Sequence, residues 1–318
     1  MTPRKTILVS GGSGLVGTSI KDLVSNTMHN DDYIFLKSAD CDLRNEYQVD
    51  ELFKNIKPDI VVHLANIVAG LYGNINNNYN MLIDNVKINT NILENCRKYN
   101  VKRLINTLST CVFGNNLNYP LTSDQMYDKK PDNSNEGYSY SKRLLDTGSK
   151  LLTQCSDLKV VNLIPTNLFG ANDNYNLYKG HVLPVIIHKT FIAKKNFQPV
   201  IIKGIGNSLR QFVLSDDLAR IILHFIDCKL EKQFNQLIVG PSIENEISIK
   251  ELVNKIVQIF EFNGEVIYDS NFSEGQYKKT VDDSELLAYI PDFKFTSLNV
   301  AVKETIDYFI ENYETIRK

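Results

Sequence analysis

Short, nearly unbroken apolar runs at residues 6–10, 33–36, 59–65, 102–109 and 159–164 alternate with longer stretches whose apolar residues recur at helical spacing. The runs read as parallel strands covered on both faces, and the periodic stretches as the helices that cover them. Helices are expected over residues 18–25, over 45–56 with Asn45 as cap, over 80–99, and from Tyr138 to about residue 155. Along 80–99, Leu82, Val86, Asn89, Ile92, Leu93 and Cys96 fall on adjacent turns. Such alternation predicts right-handed βαβ crossovers and a doubly wound parallel α/β sheet.

Past Gly170 the rhythm becomes irregular. Strands are expected at 199–202, 211–213 and 236–239, and helices after His181, over 218–228 behind Ser215-Asp216-Asp217, over 249–260 behind Ser248, and over 298–313. This predicts a first domain over residues 1–170, with segments near 204–240 interleaved, and a smaller C-terminal α/β lobe over 171–318. The Asn-rich residues 73–80 read as loops and helix starts.

Composition narrows the function. A chain of 318 residues with 43% hydrophobic residues can bury a large core. Its net charge of −2 and pI near 6.2 give no general basic field, so neither nucleic acid nor an anionic membrane is expected as partner. No apolar run reaches bilayer length, and residues 1–5 lead into the first strand without a signal-peptide layout, so a cytoplasmic protein is expected. Five cysteines (Cys41, Cys96, Cys111, Cys155, Cys228) lack CxxC or Cys/His metal spacing, so neither a disulfide framework nor a metal is expected.

The first strand ends at Gly11-Gly12-Ser13-Gly14-Leu15-Val16-Gly17, and a helical pattern follows. Strand, glycine turn and helix are the setting for a dinucleotide pyrophosphate at a helix N-terminus. The second strand ends at Lys37-Ser38, where an acid would select NAD; a cation and a hydroxyl suit a 2′-phosphate, so NADP(H) is expected. Asp42 and Leu43 follow where the adenine would lie. His63, inside the third apolar run, reads as a core histidine with a satisfied hydrogen bond.

The fourth strand delivers Ser109-Thr110-Cys111 to the ligand end of such a sheet. Tyr138 and Lys142, four apart on a helix, share a face, and an ammonium there would lower the phenol from about 10 toward neutrality.

Taken in order, Gly11xxGly14xxGly17, Ser109-Thr110-Cys111, Tyr138xxxLys142 and Pro165-Thr166-Asn167 resemble the extended short-chain dehydrogenase/reductases. Asn174-Tyr175, His181-Val182-Leu183-Pro184, Arg210-Gln211-Phe212 and Gly275-Gln276-Tyr277-Lys278-Lys279-Thr280 narrow the resemblance to the GDP-L-fucose synthases among them. The resemblance implies a Rossmann-type sheet, a homodimer formed through helices 80–99 and 138–155, and NADP-dependent 3,5-epimerisation and 4-reduction of GDP-4-keto-6-deoxy-D-mannose. The alternative is a 4-reductase or epimerase/reductase acting on another 4-keto-6-deoxy sugar nucleotide.

It further implies Ser109, Tyr138 and Lys142 as a reductase triad and Cys111 and His181 as the epimerase pair. Thiol and imidazole suit proton transfer on carbons beside a ketone. Gly11, Gly14, Leu15, Val16, Gly17, Lys37, Asp42, Leu43 and Ala65 are the implied cofactor contacts. Lys142, Pro165, Asn167, Leu168 and His181 complete them. Lys189, Lys203, Arg210 and Lys278 are implied to meet the substrate, with Lys279 a further candidate for its diphosphate and Arg210 offering bidentate geometry. Lys203 stands where the family usually has Trp, and this chain has no tryptophan. Related dehydratases carry Thr-Asp-Glu where this chain has Thr110-Cys111-Val112, so dehydration is not expected.

Overall fold

A computed structural model describes residues 4–27, 30–272 and 274–318; residues 1–3 of the leading segment lie outside the described residues. The strands are β1 (Thr6–Ser10), β2 (Asp32–Leu36), β3 (Ile60–His63), β4 (Arg103–Thr107), β5 (Lys159–Pro165) and β6 (Asn167–Phe169). They continue with β7 (Val200–Lys203), β8 (Leu209–Arg210), β9 (Phe212–Leu214), β10 (Phe234–Val239), β11 (Ile247–Ser248) and β12 (Val266–Asp269). The helices are α1 (Leu15–Ser25), α2 (Glu46–Ile56), α3 (Leu71–Ile75), α4 (Asn78–Lys98) and α5 (Glu136–Thr153). Then come α6 (Val182–Asn196), α7 (Ser215–Asp227), α8 (Ile249–Ile259), α9 (Ser284–Leu287) and α10 (Leu298–Glu311).

Six strands form one parallel sheet in the order β10-β5-β4-β3-β1-β2. The chain steps outward from β1 to β2 and then returns to the other side of β1 to lay down β3. The order therefore reverses between β1 and β3, and the crevice at their carboxyl ends is where such sheets hold ligands.

Alternation along each strand divides the core. In β1, Leu8 faces a cluster with Val49 and Phe53 of α2, Ile88 and Ile92 of α4, and Leu145 and Leu152 of α5. Ile7 and Val9 face the opposite cluster, with Ile20 of α1 and Leu218, Ile222 and Phe225 of α7. Each such buried side chain contributes on the order of 1.5–3 kcal/mol of transfer free energy. A third core joins α6, α8, α10 and β7 through Leu183, Ile187, Val253, Ile256, Phe309 and Ile202.

Four helices begin earlier than periodicity predicts, α4 at Asn78 and α5 at Glu136 by two residues and α1 and α7 by three. In α1, Gly14 is extended and acts as N-cap, so the helix starts at Leu15 and the glycine loop contains its first turn. In α7 the acids lie inside the helix rather than ahead of it: Leu214 is the N-cap, and Asp216 and Asp217 sit in the first turn, where the helix dipole favours them. Asn45 and Ser248 cap as expected, accepting from Gln48 N and Glu251 N. Of the elements that pattern alone leaves out, β12 is mostly half-buried and α3 spans barely a turn.

Candidate active site

A cavity of about 1270 Å³ opens over the crevice between β1 and β3 and continues toward the third core. Gly11, Gly14, Leu15, Val16 and Gly17 line one end. Gly11 has φ +70°, and a Cβ there would stand 2.9 Å from Ala65 N, so the turn requires glycine and draws Ala65 to the cavity wall. Gly14 offers α1 no side-chain cap, which leaves the first N–H groups of the helix available to an anion. At the end of β2, Lys37, Ser38 and Arg44 line the same cavity with Asp42 and Leu43. Arg44 Nε donates to Asp42 Oδ1 at 2.9 Å and Nη2 to Asp42 Oδ2 at 3.0 Å, so Asp42 is engaged by a cation. These residues fit a dinucleotide that carries a 2′-phosphate. Sequence reasoning missed Arg44, although it directly follows Asp42-Leu43.

The reactive end is held by α5. Ser139 Oγ donates to Cys111 O at 2.8 Å, and Arg143 donates to Val112 O from Nε at 3.0 Å and Nη2 at 2.6 Å. The residues that follow Tyr138 and Lys142 thus clamp the turn after β4, and helical spacing turns Tyr138 and Lys142 toward the cavity with Ser109 and Cys111. Ser109 Oγ accepts from Cys111 N at 3.2 Å, fixing that turn.

The electrostatics of the Tyr–Lys pair differ from the expectation. Burial brings the Lys142 ammonium down to about 7, and its Nζ donates to Thr107 O. Burial, and then the neighbouring Cys111, pushes the Tyr138 phenol up rather than toward neutrality. Desolvation of both groups outweighs a cation 5.7 Å from the ring centre. Tyr138 is therefore held as a neutral phenol, a hydrogen-bond donor.

Cys111 goes the other way. Burial, the largest influence, raises its thiol, but Lys279, hydrogen bonding by Ser109 and Lys279, and the charge of Arg210 together bring it below the ordinary value. His181, the N-cap of α6, lines the cavity with Asp173. Burial raises the Asp173 carboxyl and the charge of His181 opposes that rise, so the two face each other electrostatically. Tyr175 secures the loop: its hydroxyl donates to Gly170 O at 3.2 Å and its carbonyl lies 2.7 Å from His188 Nδ1.

His63 is fully buried, 2.8 Å from Ser10 Oγ and 3.1 Å from Asn89 Oδ1. Burial and Lys142 hold its ring down to about 4, so it is a neutral core residue, as the sequence suggested.

Pro165, Asn167, Leu168, Lys189, Lys203 and Arg210 all line the cavity. Arg210 spends donors on Leu209 O, Gln276 O and Tyr277 O, so the bidentate geometry expected for a diphosphate is directed at backbone carbonyls. Lys203 Nζ lies 4.7 Å from the centre of the Phe272 ring. Lys278 is the exception among the implied contacts: it lies outside the cavity, 3.4 Å from Glu246 and over the Tyr119 ring, and its neighbour Lys279 lines the cavity instead. Asp173, Glu274 and Gln276 also line it. Asp173 could have been found from its place beside Asn174-Tyr175, and Gln276 lies within the motif from Gly275 to Thr280 already singled out; Glu274 carried no signal beyond proximity to Gly275.

Residues 7–240 match the model of the NAD dependent epimerase/dehydratase family. The chain is 40% identical to GDP-L-fucose synthase of Dictyostelium discoideum, covering 100% of this chain and 99% of that protein. It is 34% identical to a probable GDP-L-fucose synthase of Drosophila melanogaster, over 99% of this chain and 100% of that one. A crystal structure of a GDP-L-fucose synthetase from Naegleria fowleri bound to NADP superposes with a TM-score of 0.92 at 37% identity, covering 100% of this chain and 96% of that chain.

Proposed function

The chain belongs to the NAD dependent epimerase/dehydratase family, and on that premise we propose that it converts GDP-4-keto-6-deoxy-D-mannose to GDP-L-fucose with NADPH, by 3,5-epimerisation and 4-reduction. The observation that carries this reading is the convergence of Ser109, Cys111, Tyr138, Lys142 and His181 on one cavity whose other end is the glycine loop.

The residues divide the work. Cys111 and His181 exchange protons on the carbons flanking the C4 ketone, a task that suits a thiol and an imidazole. Ser109 and the neutral Tyr138 donate hydrogen bonds to the C4 oxygen and stabilise the enolate that each proton removal creates. In the reduction Tyr138 gives its proton to that oxygen. Lys142, held against Thr107 O, keeps a titratable group close behind Tyr138. Gly11 to Gly17 and the α1 N-terminus would hold the NADPH pyrophosphate, and Lys37, Ser38 and Arg44 its 2′-phosphate. Bound there, NADPH supplies the hydride that reduces C4.

We assign residues 1–170, with the interleaved stretch near 204–240, to the cofactor and residues 171–318 mainly to the substrate; Lys189 and Lys203 are the cations proposed for its diphosphate. A homodimer through α4 and α5 is supported by Tyr140, Leu144 and Leu151 of α5, which are 40%, 37% and 55% exposed on a helix otherwise committed to the core. Light scattering that finds only a 36 kDa species would remove the dimer. A cytoplasmic setting is supported by five free cysteines, and no helix among the described residues is long and apolar enough to cross a membrane.

Incubation with the keto-sugar in D2O without reductant tests the epimerase. Deuterium is expected at C3 and C5, and its absence sinks the reading. Cys111→Ser should abolish product while NADPH still binds. Parallel assays with the UDP- and dTDP-linked keto-sugars test the base; turnover of either in preference to the GDP sugar would replace the substrate named here.

A further inference from the structure

Among the charged side chains around the cavity, Lys279 touches the thiol: its Nζ stands 3.4 Å from Cys111 Sγ. That contact is built from the backbone outward. Arg210 binds Gln276 O and Tyr277 O at 2.6 and 3.1 Å, and Leu209 N donates to Tyr277 O at 2.9 Å. On either side of Lys279, Tyr119 donates to Lys278 O at 2.8 Å and Leu121 N to Thr280 O at 2.7 Å. Val281 N then donates to Gln211 Oε1 at 2.8 Å. With its neighbours pinned, the strap fixes which lysine faces where: Lys278 goes to Glu246, and Lys279 goes to the thiol.

We propose that Lys279 is a positioning residue that contacts the Cys111 thiol and favours its thiolate form, and thereby sets the pH range in which Cys111 removes a proton from the sugar. The inference rests on the epimerase reading above. In the step concerned, an Sγ–H bond forms as a C–H bond beside the ketone breaks, and the C–H pair moves through the enolate onto the C4 oxygen. Nothing is oxidised or reduced.

The neighbours of the pair agree with this role. Arg210 adds a second positive charge near Cys111, while Ser109 and Tyr138 face it without charge. Asp132 is the acid whose charge couples to Lys279. Glu246 is engaged by Lys278 and Thr280, and Glu274 accepts from Gly206 N at 2.5 Å. A partly buried thiol with two cations beside it is favoured as its anion, whereas desolvation alone would do the opposite.

The test follows alkylation of Cys111 by iodoacetamide, quantified on its own peptide by mass spectrometry from about pH 5 to about pH 10, a range that brackets an ordinary thiol. The exposed Cys155 serves as internal reference. In the wild type the midpoint for Cys111 should lie below the ordinary thiol value near 8.5. Lys279→Met should raise it by about one unit or more, so that labelling near pH 7 falls about tenfold, while Lys279→Arg retains most of the shift. A wild-type midpoint at or above the ordinary value overturns the proposal, and this measurement needs no variant to fold. An unchanged midpoint in a folded Lys279→Met, checked by its thermal transition, overturns it equally. Deuterium exchange separates the two levels: a low midpoint without exchange in the wild type sinks the epimerase reading and leaves Lys279 as the group that ionises the thiol.

Discussion

Lys142 Nζ lies 5.7 Å from the centre of the Tyr138 ring while donating its hydrogen bond to the Thr107 carbonyl. The lysine is thus a buried cation whose partner is a dipole rather than an anion, and burial brings it down to about 7. In the unfolded chain it titrates near 10.4. Between those values the unfolded state binds more protons, so this group makes stability rise with pH; below about 7 the burial cost is fully present. Lys142→Met should therefore be more stable than the parent near pH 6.5, by on the order of a few kcal/mol, with the gap closing toward pH 10. Urea unfolding at the two pH values measures this, and a gap that does not change with pH contradicts it.

Gly137 precedes Tyr138 where α5 passes the start of α4. A Cβ at Gly137 would stand 2.0 Å from Asn78 O, a backbone atom that cannot swing aside. Gly137→Ala should cost about 1–3 kcal/mol through overpacking, lower the thermal midpoint by several degrees, and reduce the reduction rate by moving Tyr138. A variant as stable and active as the parent would show that the helices yield freely.

Lys37 and Arg44 flank the end of β2, and neither is buried. If they recognise a 2′-phosphate, the double variant Lys37→Ala/Arg44→Ala should raise the KM for NADPH about tenfold and leave that for NADH nearly unchanged. Equal losses for both cofactors would move the 2′-phosphate contact elsewhere.

Asp173 and His181 face each other at the mouth of α6. Asp173→Asn removes the carboxylate whose charge couples to His181, so deuterium exchange at the carbon served by His181 should slow about tenfold, a 1.4 kcal/mol effect, while exchange at the other carbon is little affected. Position-resolved NMR of the sugar reads both carbons at once. Equal slowing at both would indicate a general structural loss.

Local chemistry determined much of this protein. Unbroken apolar runs fixed the strands, helical periodicity fixed their covers, and the glycine loop, Lys37-Ser38 and the Tyr138/Lys142 spacing declared a nucleotide site, because each of these is a relation between residues close in sequence. Only the tertiary structure decided the charges. Whether Tyr138 is lowered or raised depends on how much water the fold removes, which no spacing encodes. Whether Lys278 or Lys279 meets Cys111 depends on bonds from Tyr119, Leu121 and Arg210, remote in sequence, that set the register of a strap without regular periodicity. Desolvation and long-range register are properties of the packed chain, and they turned an expected diphosphate ligand into the neighbour of a thiol.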